Sequence, residues 1–226
     1  MKKIVALLPM KANSERVKGK NFKDFNGKPL FKWILDMLLS VELIDTVVIN
    51  TDAKEILLAN GLSNTERVLI RDRHMDLCGD KVSMNLVLAD DIANVDADIY
   101  LMTHTTNPFL SADTTIRAIE KFKIAHERES YDSLFTVDRI QTRFYRADGS
   151  AVNHDPDNLI RTQDLEPWFE ENSNLYLFTR ESFKATNARI GLKPVLFESP
   201  KFESVDIDNQ ADWDFALIVS KYLQNK

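Results

Sequence analysis

The chain has 226 residues, of which 44% are hydrophobic and 28% charged, a composition typical of one globular α/β domain. A formal net charge of −6 argues against a nucleic-acid partner, and no apolar run approaches the ~20 residues that span a bilayer, so no membrane segment is expected. The single cysteine, Cys78, excludes an internal disulfide and a cysteine-based zinc site, and it points to a reducing cytoplasm.

The first half of the chain alternates between two hydrophobic patterns. Residues 4–8 form a continuous apolar run, which is typical of a strand buried on both faces. From Pro29 the apolar spacing becomes helical. Further strands are predicted at residues 46–50, 68–70 and 98–103, and further helices at residues 53–60, 84–92 and after the N-cap Ser111. This alternation predicts a Rossmann-like three-layer α/β/α sandwich around a mostly parallel sheet.

The second half of the chain has a different pattern. Strands are predicted at residues 133–137, 143–146, 175–178, 195–198 and 204–207, and a closing helix at residues 211–223. Between residues 149 and 168 the chain is polar and rich in turn signals. We therefore interpret residues from about 138 to 172 as a small β-rich excursion within a single domain that spans residues 1–226.

Four polar clusters follow predicted strands. They occupy residues 11–21, 50–52, 104–108 and 206–208. Because ligands bind beyond the carboxyl ends of the strands in such sheets, we expect these clusters to form one site. In the last cluster, Asp206 and Asp208 would project to the same side of a strand, and two adjacent carboxylates suit Mg²⁺. Capping of the last helix is the competing structural explanation for Asp208.

The loop after the first strand concentrates positive charge. It contains Lys11, Arg16, Lys18 and Lys20 within ten positions. A polyphosphate needs clustered cations and loop amides around its oxygens, although a solvated charged loop would have the same composition. The spacing matches neither the Walker A loop nor the glycine fingerprint of dinucleotide-binding domains.

These motifs resemble those of the acylneuraminate cytidylyltransferases, the CMP-sialic-acid synthetases. The first loop is similar to the family pattern P-A-R-x-x-S-K-x-x-x-x-K-N, with Pro9, Ser14, Lys20 and Asn21 at matching positions and Lys11 in place of the usual arginine. Other segments resemble family motifs in the same order, at residues 50–52, 73–80, 104–108, 172–176 and 206–208. The resemblance therefore covers nearly the whole chain.

The resemblance implies a reaction and a catalytic set. The reaction joins CMP from CTP to the anomeric hydroxyl of a sialic-acid-like nonulosonic acid and releases pyrophosphate. Mg²⁺ or another divalent cation would bind Asp206 and Asp208. The catalytic residues would be Lys20 and Lys11, which stabilise the triphosphate, and Asp208, which accepts the proton of the attacking hydroxyl.

The resemblance also implies which residues bind each substrate and how the chain assembles. The implied nucleotide-binding residues are Lys11, Ser14, Arg16, Lys20, Asn21, Arg73 and Asp80. The implied acceptor-binding residues are His104, Thr106, Asn172 and Arg161. A homodimer is implied because the family's excursion builds a dimer interface, for which Phe144, Trp168 and Phe169 are available anchors.

The acceptor half of the motif set departs from the family. Near Phe169, where the sialic-acid enzymes carry basic residues, this chain has Glu170 and Glu171. Arg143 and Arg161 are candidates to supply the missing cation, including across a dimer. Two alternatives to a sialic-acid-like acceptor therefore stay open: the same chemistry on another acidic sugar, and a noncatalytic protein that binds a nucleotide sugar.

Overall fold

The computed structural model describes residues 2–12, 16–79 and 81–224. The strands are β1 (Ile4–Leu7), β2 (Asp24–Phe25), β3 (Lys28–Pro29), β4 (Thr46–Thr51), β5 (Val68–Asp72), β6 (Ile99–Thr103), β7 (Ser133–Ile140), β8 (Trp168–Phe178) and β9 (Pro194–Glu198). The α-helices are α1 (Leu30–Ser40), α2 (Lys54–Ala59), α3 (Met84–Asn94), α4 (Ala112–Glu129), α5 (Arg180–Thr186) and α6 (Gln210–Gln224). Within these described residues, no helix is long and apolar enough to cross a bilayer.

Seven strands form one sheet in the order β5-β4-β1-β6-β8-β7-β9. Strand β8 runs antiparallel to both of its neighbours, and the other neighbouring pairs are parallel. All four residues of β1 are buried, as the continuous apolar run predicted, because helices cover both faces of the sheet. The predicted α/β class with a mostly parallel sheet is confirmed.

Helices pack on both faces of this sheet. On one face, Phe31 and Ile34 of α1 and Phe122 of α4 belong to the larger core cluster. On the other face, Leu88 of α3 and Phe183 of α5 belong to a second cluster. Each cluster packs helices against one face of the sheet, which gives the three layers that the sequence predicted.

A third, smaller cluster lies beside the β2–β3 hairpin. Its members include Phe25 of β2, Ile207 in the segment before α6, and Trp213 of α6. The Phe25 and Trp213 rings meet edge to face, with centroids 5.4 Å apart. The hairpin turns at Asn26 and Gly27, whose φ angles of 52° and 90° suit this residue pair. The cluster therefore anchors the segment that carries Asp206 and Asp208 against the first loop of the chain.

Two predicted strands were wrong, and one helix was missed. Residues 204–207 form a turn and irregular backbone instead of a strand, because the Ile207 amide donates to the Thr106 carbonyl and not to a ladder partner. Residues 143–146 contribute only an isolated bridge between Tyr145 and Ala151. Helix α5 was missed because seven residues are too few to show a helical apolar period. It does begin with a capping box at Thr179.

Candidate active site

A cleft of about 490 Å³ opens where β1, β5 and β6 end. Three of the four predicted polar clusters reach it, as expected for a sheet whose parallel strands end at one edge. Its lining residues are Pro9, Met10, Lys11, Arg16, Lys20, Asn21, Arg73, Met84, His104, Thr105, Thr106, Ser173, Arg189, Asp206 and Asp208. The fourth cluster lies behind the cleft, where buried Asn50 holds Arg73.

Lys20 lies at the base of the cleft. It opens the 3₁₀ turn Lys20–Phe22, and Gly19 before it takes a φ of 62°, a left-handed conformation that glycine adopts at low cost. The residue is only 8% exposed. Its Nζ donates to the Ile207 carbonyl and lies 3.5 Å from Oδ1 of Asp208. The ammonium group is thus fixed between a backbone oxygen and a carboxylate.

Asp206 and Asp208 both line the cleft, although their backbone is not a strand. Buried Ile207 separates them, and its amide donates to the Thr106 carbonyl at 2.9 Å, which fixes the loop. Burial raises the pKa of Asp206, and a hydrogen bond with Thr106 opposes part of that shift. Asp208 is partly exposed and pairs with Arg16 at 3.0 Å. The two carboxylates therefore meet in the cleft for a reason other than strand alternation.

The donor set of this pair fits a divalent cation that arrives with a substrate. Oδ1 of Asp206 is buried and, in the part of the chain that the structure describes, has no hydrogen-bond partner. Among the described residues, no group of three or more His, Cys, Asp or Glu side chains is arranged to hold a metal ion. Mg²⁺ takes few protein carboxylates and completes its shell with phosphate oxygens and water. The pair therefore fits a magnesium–nucleotide complex better than a permanent structural metal.

One side of the cleft is built from polar side chains held by hydrogen bonds. The Asn21 amide donates to the Lys11 carbonyl at 2.8 Å, and its oxygen accepts from Thr105 at 2.6 Å. Arg73 is 7% exposed and donates to the side chain and the carbonyl of Asn50 at 2.9 and 2.7 Å. Because these partners lie within the protein, the side chains are fixed before any ligand binds.

The nucleotide-binding residues expected from the sequence lie together in the cleft wherever the structure describes them. Five of the seven line the cleft: Lys11, Arg16, Lys20, Asn21 and Arg73. The other two, Ser14 and Asp80, lie outside the described residues. All three residues expected to be catalytic, Lys11, Lys20 and Asp208, line the same cleft.

Two of the four expected acceptor-binding residues, His104 and Thr106, line the cleft. The structure does not bring Asn172 or Arg161 to it. The Asn172 amide donates to Asp138 and Ser199, which ties β8 to the segment after β9. Arg161 lies on the surface of the excursion and pairs with Asp164.

His104 is a neutral group in this cleft. Burial, together with the positive charges of Arg189 and Lys20, lowers its pKa to about 3. With its pKa lowered in this way, the imidazole is uncharged near neutral pH. It can donate or accept a hydrogen bond, but it does not contribute a cation.

Sequence reasoning missed Arg189. Its guanidinium carbon lies 3.9 Å from the centre of the Tyr176 ring, and Nη2 lies 3.3 Å from Oε1 of Glu171. No motif marks this residue, because it reaches the cleft only through helix α5 and the turn that follows it. The only sequence signal was a basic side chain in a loop between a short helix and a strand, which is too common to single out.

Positive charge dominates the lining of the cleft. It has five cationic side chains, from Lys11, Arg16, Lys20, Arg73 and Arg189, against two carboxylates, from Asp206 and Asp208. The whole chain has a net charge of −6, so this concentration is local. A cleft of one dominant sign attracts ligands of the opposite sign. A polyphosphate and an acidic partner are therefore the ligands that it suits.

Comparison with protein families assigns the chain. The family model for cytidylyltransferases matches residues 5–214, which include every residue that lines the cleft. The chain belongs to the cytidylyltransferase family. It is therefore a nucleotidyltransferase, and the resemblance noted in the sequence is confirmed at the level of the family.

Several named cytidylyltransferases are similar over most of the chain. Pseudaminic acid cytidylyltransferase of Campylobacter jejuni is 25% identical over 226 residues, covering 97% of each chain. The CMP-N,N'-diacetyllegionaminic acid synthase of Legionella pneumophila is 26% identical and covers 93% of each chain. The N-acylneuraminate cytidylyltransferase of Oncorhynchus mykiss is 26% identical over 94% of this chain and 49% of its own length.

Solved structures share the fold of this cytidylyltransferase. The 4-diphosphocytidyl-2C-methyl-D-erythritol synthase of Anaerococcus prevotii matches with a TM-score of 0.67 at 13% identity, covering 99% of this chain and 96% of that one. A CMP:2-keto-3-deoxy-manno-octonic acid synthetase, solved with CTP, matches with a TM-score of 0.64 at 16% identity, covering 99% and 100%. At these identities the likeness shows the fold, and it confirms the predicted Rossmann-like architecture.

Proposed function

We propose that this cytidylyltransferase transfers CMP from CTP to the anomeric hydroxyl of a nonulosonic acid and releases pyrophosphate. The observation that carries the proposal is that Lys20, Asp206 and Asp208 meet in one cationic cleft of a chain in this family. The relatives named for pseudaminic, N-acylneuraminic and legionaminic acids support an acceptor of that class.

The cations of the cleft bind the triphosphate. Lys11, Arg16, Lys20 and Arg73 face it, and negative charge grows on the leaving pyrophosphate as the bond to the α-phosphorus breaks. Lys20 is held in place by the Ile207 carbonyl, so its ammonium is already oriented when that charge develops. Such preorganised charge is usually the largest single contribution to the rate of this class of reaction.

Asp206 and Asp208 would hold a divalent cation, with Mg²⁺ as the first candidate. When bound, the cation neutralises charge on the phosphates. Asp208 pairs with Arg16 in the present structure, at 3.0 Å. We infer that Arg16 exchanges this carboxylate for a phosphate oxygen when the nucleotide enters, because both are strong anionic acceptors.

Asp208 is the group to which we assign the proton of the acceptor's hydroxyl. Its side chain is 46% exposed and faces the cleft, whereas Oδ1 of Asp206 is buried. An ionised carboxylate within reach of the attacking hydroxyl accepts its proton as the bond to phosphorus forms. His104 and Thr106 are left as neutral groups that orient the sugar hydroxyls.

We further propose that the enzyme works in the cytoplasm as a homodimer. One free cysteine, Cys78, is consistent with a reducing compartment. The excursion, residues 138–172, exposes large apolar side chains, among them Leu159 and, at the start of β8, Trp168 and Phe169. Such a surface suits contact with a second copy. Arg161, which lies away from the cleft of its own chain, would then be available to the partner's.

Pyrophosphate release tests the proposed function. CTP, ATP, GTP and UTP would each be incubated with Mg²⁺ and with N-acetylneuraminate, pseudaminate, legionaminate or 3-deoxy-manno-octulosonate, with EDTA as the metal-free control. We expect release with CTP and at least one nonulosonic acid, and none with EDTA. Release only with the octulosonate would identify a different acidic sugar. CTP binding without release from any mixture would support the noncatalytic alternative.

A further inference from the structure

One cationic side chain, that of Arg189, lies on the acceptor side of the cleft. The sheet order β5-β4-β1-β6-β8 places Arg73, after β5, at one end of the cleft and Arg189, beyond β8, at the other. The remaining lining cations, on the loop after β1, lie between these ends. We propose that Arg189 binds the carboxylate of the acceptor and makes this enzyme specific for acidic sugars. This inference rests on the proposed function.

A rigid platform holds Arg189 in place. Its guanidinium lies 3.9 Å from the centre of the Tyr176 ring, close enough for a strong cation–π contact. Tyr176 is fully buried in β8, where it pairs with Met102 of β6 and Phe135 of β7. Because β8 lies between two other strands, the buried ring gives the guanidinium a fixed packing surface before the acceptor arrives.

The polar contacts of Arg189 are long enough to be exchanged for a ligand. Nη2 lies 3.3 Å from Oε1 of Glu171, and Nη1 lies 3.5 Å from Nε2 of His104. Charge-assisted hydrogen bonds from arginine to a carboxylate are typically about 2.7–2.9 Å long and often bidentate. A substrate carboxylate that made such a pair would therefore bind better than the present partners.

The contact with Glu171 leaves Arg189 able to bind a ligand. The Tyr176 hydroxyl donates to Glu171 in a short hydrogen bond, so the carboxylate is anchored to the same strand and cannot follow the guanidinium. An arginine has five N–H donors in a planar fork, which is enough to contact Glu171 along one edge and a ligand along the other. Glu171 thus orients Arg189 and partly neutralises it while the cleft is empty.

The position of Arg189 suits the chemistry of an acidic keto sugar. In such a sugar the carboxylate and the attacking hydroxyl are attached to the same carbon atom, so their receptors must lie close together. His104 lies beside Arg189, with Nε2 3.5 Å from Nη1, and both line the cleft that Lys20 and Asp208 also line. A carboxylate placed there is also repelled by the triphosphate, and a nearby cation offsets that repulsion.

Beyond Arg189 there is room for the rest of the acceptor. A second hollow of about 290 Å³ shares Met84 and Arg189 with the main cleft. It is lined further by Ser83, Asn85 and Glu171, which can bond to hydroxyl or amide groups. Arg189 consequently lies along the path of a long sugar and not at the outer rim of the site.

The test combines an enzyme variant with a substrate variant. N-acetylneuraminate and its C1 carboxamide, which lacks the negative charge, would be compared on the wild type, Arg189→Met, Arg189→Lys and Arg161→Met. Arg180→Met is the matched control, because Arg180 also lies against a strand tyrosine, Tyr100, and pairs with Asp96 away from the cleft. Acceptor KM would be measured by pyrophosphate release, and CTP Kd by calorimetry without acceptor.

We expect Arg189→Met to raise the acceptor KM or Kd by about 10- to 100-fold and to leave CTP binding within about twofold. The carboxamide should be worse by a similar factor on the wild type, and Arg189→Met should add no further loss with it. Arg189→Lys should recover part of the loss, and Arg180→Met should behave as the wild type. Non-additivity of this kind identifies a direct pair, which a purely structural role of Arg189 would not produce.

Two outcomes would overturn the inference. The first is an equal loss with acid and carboxamide in Arg189→Met; the second is the same non-additive pattern in Arg161→Met in place of Arg189→Met. If no acid releases pyrophosphate, the proposed function fails, and sugar binding to the enzyme loaded with a nonhydrolysable CTP analogue is measured by saturation-transfer NMR. Binding of N-acetylneuraminate that Arg189→Met abolishes would still support the inference, and no binding to the wild type would end it.

Discussion

The Lys20 ammonium makes two contacts within the protein, one to the Ile207 carbonyl and one at 3.5 Å to Oδ1 of Asp208. A mobile surface lysine would have to give up conformational freedom to bind a phosphate, whereas this one is already ordered. The same contacts link the first loop of the chain to the segment before α6. A single residue therefore connects the proposed triphosphate site to the position of the proposed metal ligands.

Replacing Lys20 should remove a charge that acts mainly in the transition state. We expect Lys20→Met to lower kcat for pyrophosphate release by roughly 10²- to 10³-fold. Lys23→Met is the control, because Lys23 is exposed and lies over the Trp213 ring at 4.2 Å, outside the cleft. A Lys20→Met enzyme with near-normal kcat would remove Lys20 from the mechanism, provided that its circular dichroism spectrum matches the wild type.

Asp91 supports the nucleotide side of the cleft from behind. Its Oδ1 accepts from the Asn50 amide at 2.8 Å and from Arg71, and Asn50 in turn holds Arg73. Oδ2 of Asp91 is buried and has no hydrogen-bond partner in the described structure. Burial raises the pKa of Asp91 from 3.8 to about 6, because the hydrogen bonds with Asn50 and Arg71 only partly offset the loss of solvation.

The raised pKa of Asp91 predicts a direction for the pH dependence of stability. The folded protein holds the proton more tightly than the unfolded chain, so the stabilising contribution is complete below pH 4 and is lost as the pH rises through about 6. Relative to Asp91→Asn, the wild type should gain roughly 2 to 3 kcal/mol of unfolding free energy between pH 7 and pH 4. Urea unfolding of both proteins across that range checks this. A difference that stays constant or shrinks toward pH 4 would contradict it.

At the scale of elements, helix α4 shows how a local signal sets a boundary. The Ser111 hydroxyl accepts from the Thr114 amide at 3.1 Å, as its predicted N-cap role requires. The helix then runs for 18 residues and buries Ile119 and Phe122 against the sheet. The cap therefore fixes where this long layer-forming helix begins, directly after the cluster that contributes His104 and Thr106.

Removing the cap should weaken the fold without altering the chemistry. We expect Ser111→Ala to lower the unfolding free energy by about 1 kcal/mol, whereas Ser111→Thr keeps an oxygen at the same place and should cost less. Chemical denaturation measures both variants. Equal stability of Ser111→Ala and the wild type would show that the backbone contacts of this region set the helix start without the hydroxyl.

The local sequence pattern predicted the elements that depend on local hydrogen bonds or on a buried apolar run. Strand β1 is an apolar run and α4 has a cap and a periodic face, and both were predicted. The segment at residues 204–207 alternates like a strand, but its backbone bonds to Thr106 and Lys20, distant partners that no local pattern can reveal. Its two aspartates nevertheless line the cleft, and their role as metal ligands stays a prediction from the family motif.

The acceptor side of the site was harder to predict. Asn172 was expected to bind the acceptor, but its neighbour Ser173 lines the cleft instead. Both residues lie where the pairing of β7 and β8 is irregular. Ser173 stands where the family pattern has glycine and takes a φ of 54°. Arg189 depends on helix α5, which is short and was missed. Positions that depend on an irregular backbone are those that sequence patterns specify least.

At the scale of the whole molecule, the excursion, residues 138–172, leaves large apolar side chains exposed. Phe144 stacks on Trp168 with centroids 5.1 Å apart, and Leu159 and Phe169 are 61% and 45% exposed. A surface of this kind on a chain with a net charge of −6 favours association of a defined patch over general aggregation.

The proposed dimer predicts a change in mass on altering this patch. The wild type should elute as a dimer at micromolar concentration, and Leu159→Asp combined with Phe169→Asp should elute as a folded monomer, because two buried charges would oppose the interface. Leu192→Asp is the control, since Leu192 is 77% exposed outside the excursion. Light scattering with size exclusion measures all three. A monomeric wild type would contradict the proposal.

The most direct measurement of the central claim is phosphorus NMR of CTP incubated with the enzyme, Mg²⁺ and a nonulosonic acid. Transfer of CMP to the acceptor predicts loss of the three CTP resonances, an equal amount of pyrophosphate, and a new phosphodiester resonance that requires both the acid and the metal. A CMP monoester resonance would mean that the cleft only hydrolyses CTP. Unchanged CTP with every acid tested would contradict the assignment of Lys20, Asp206 and Asp208 to a catalytic site.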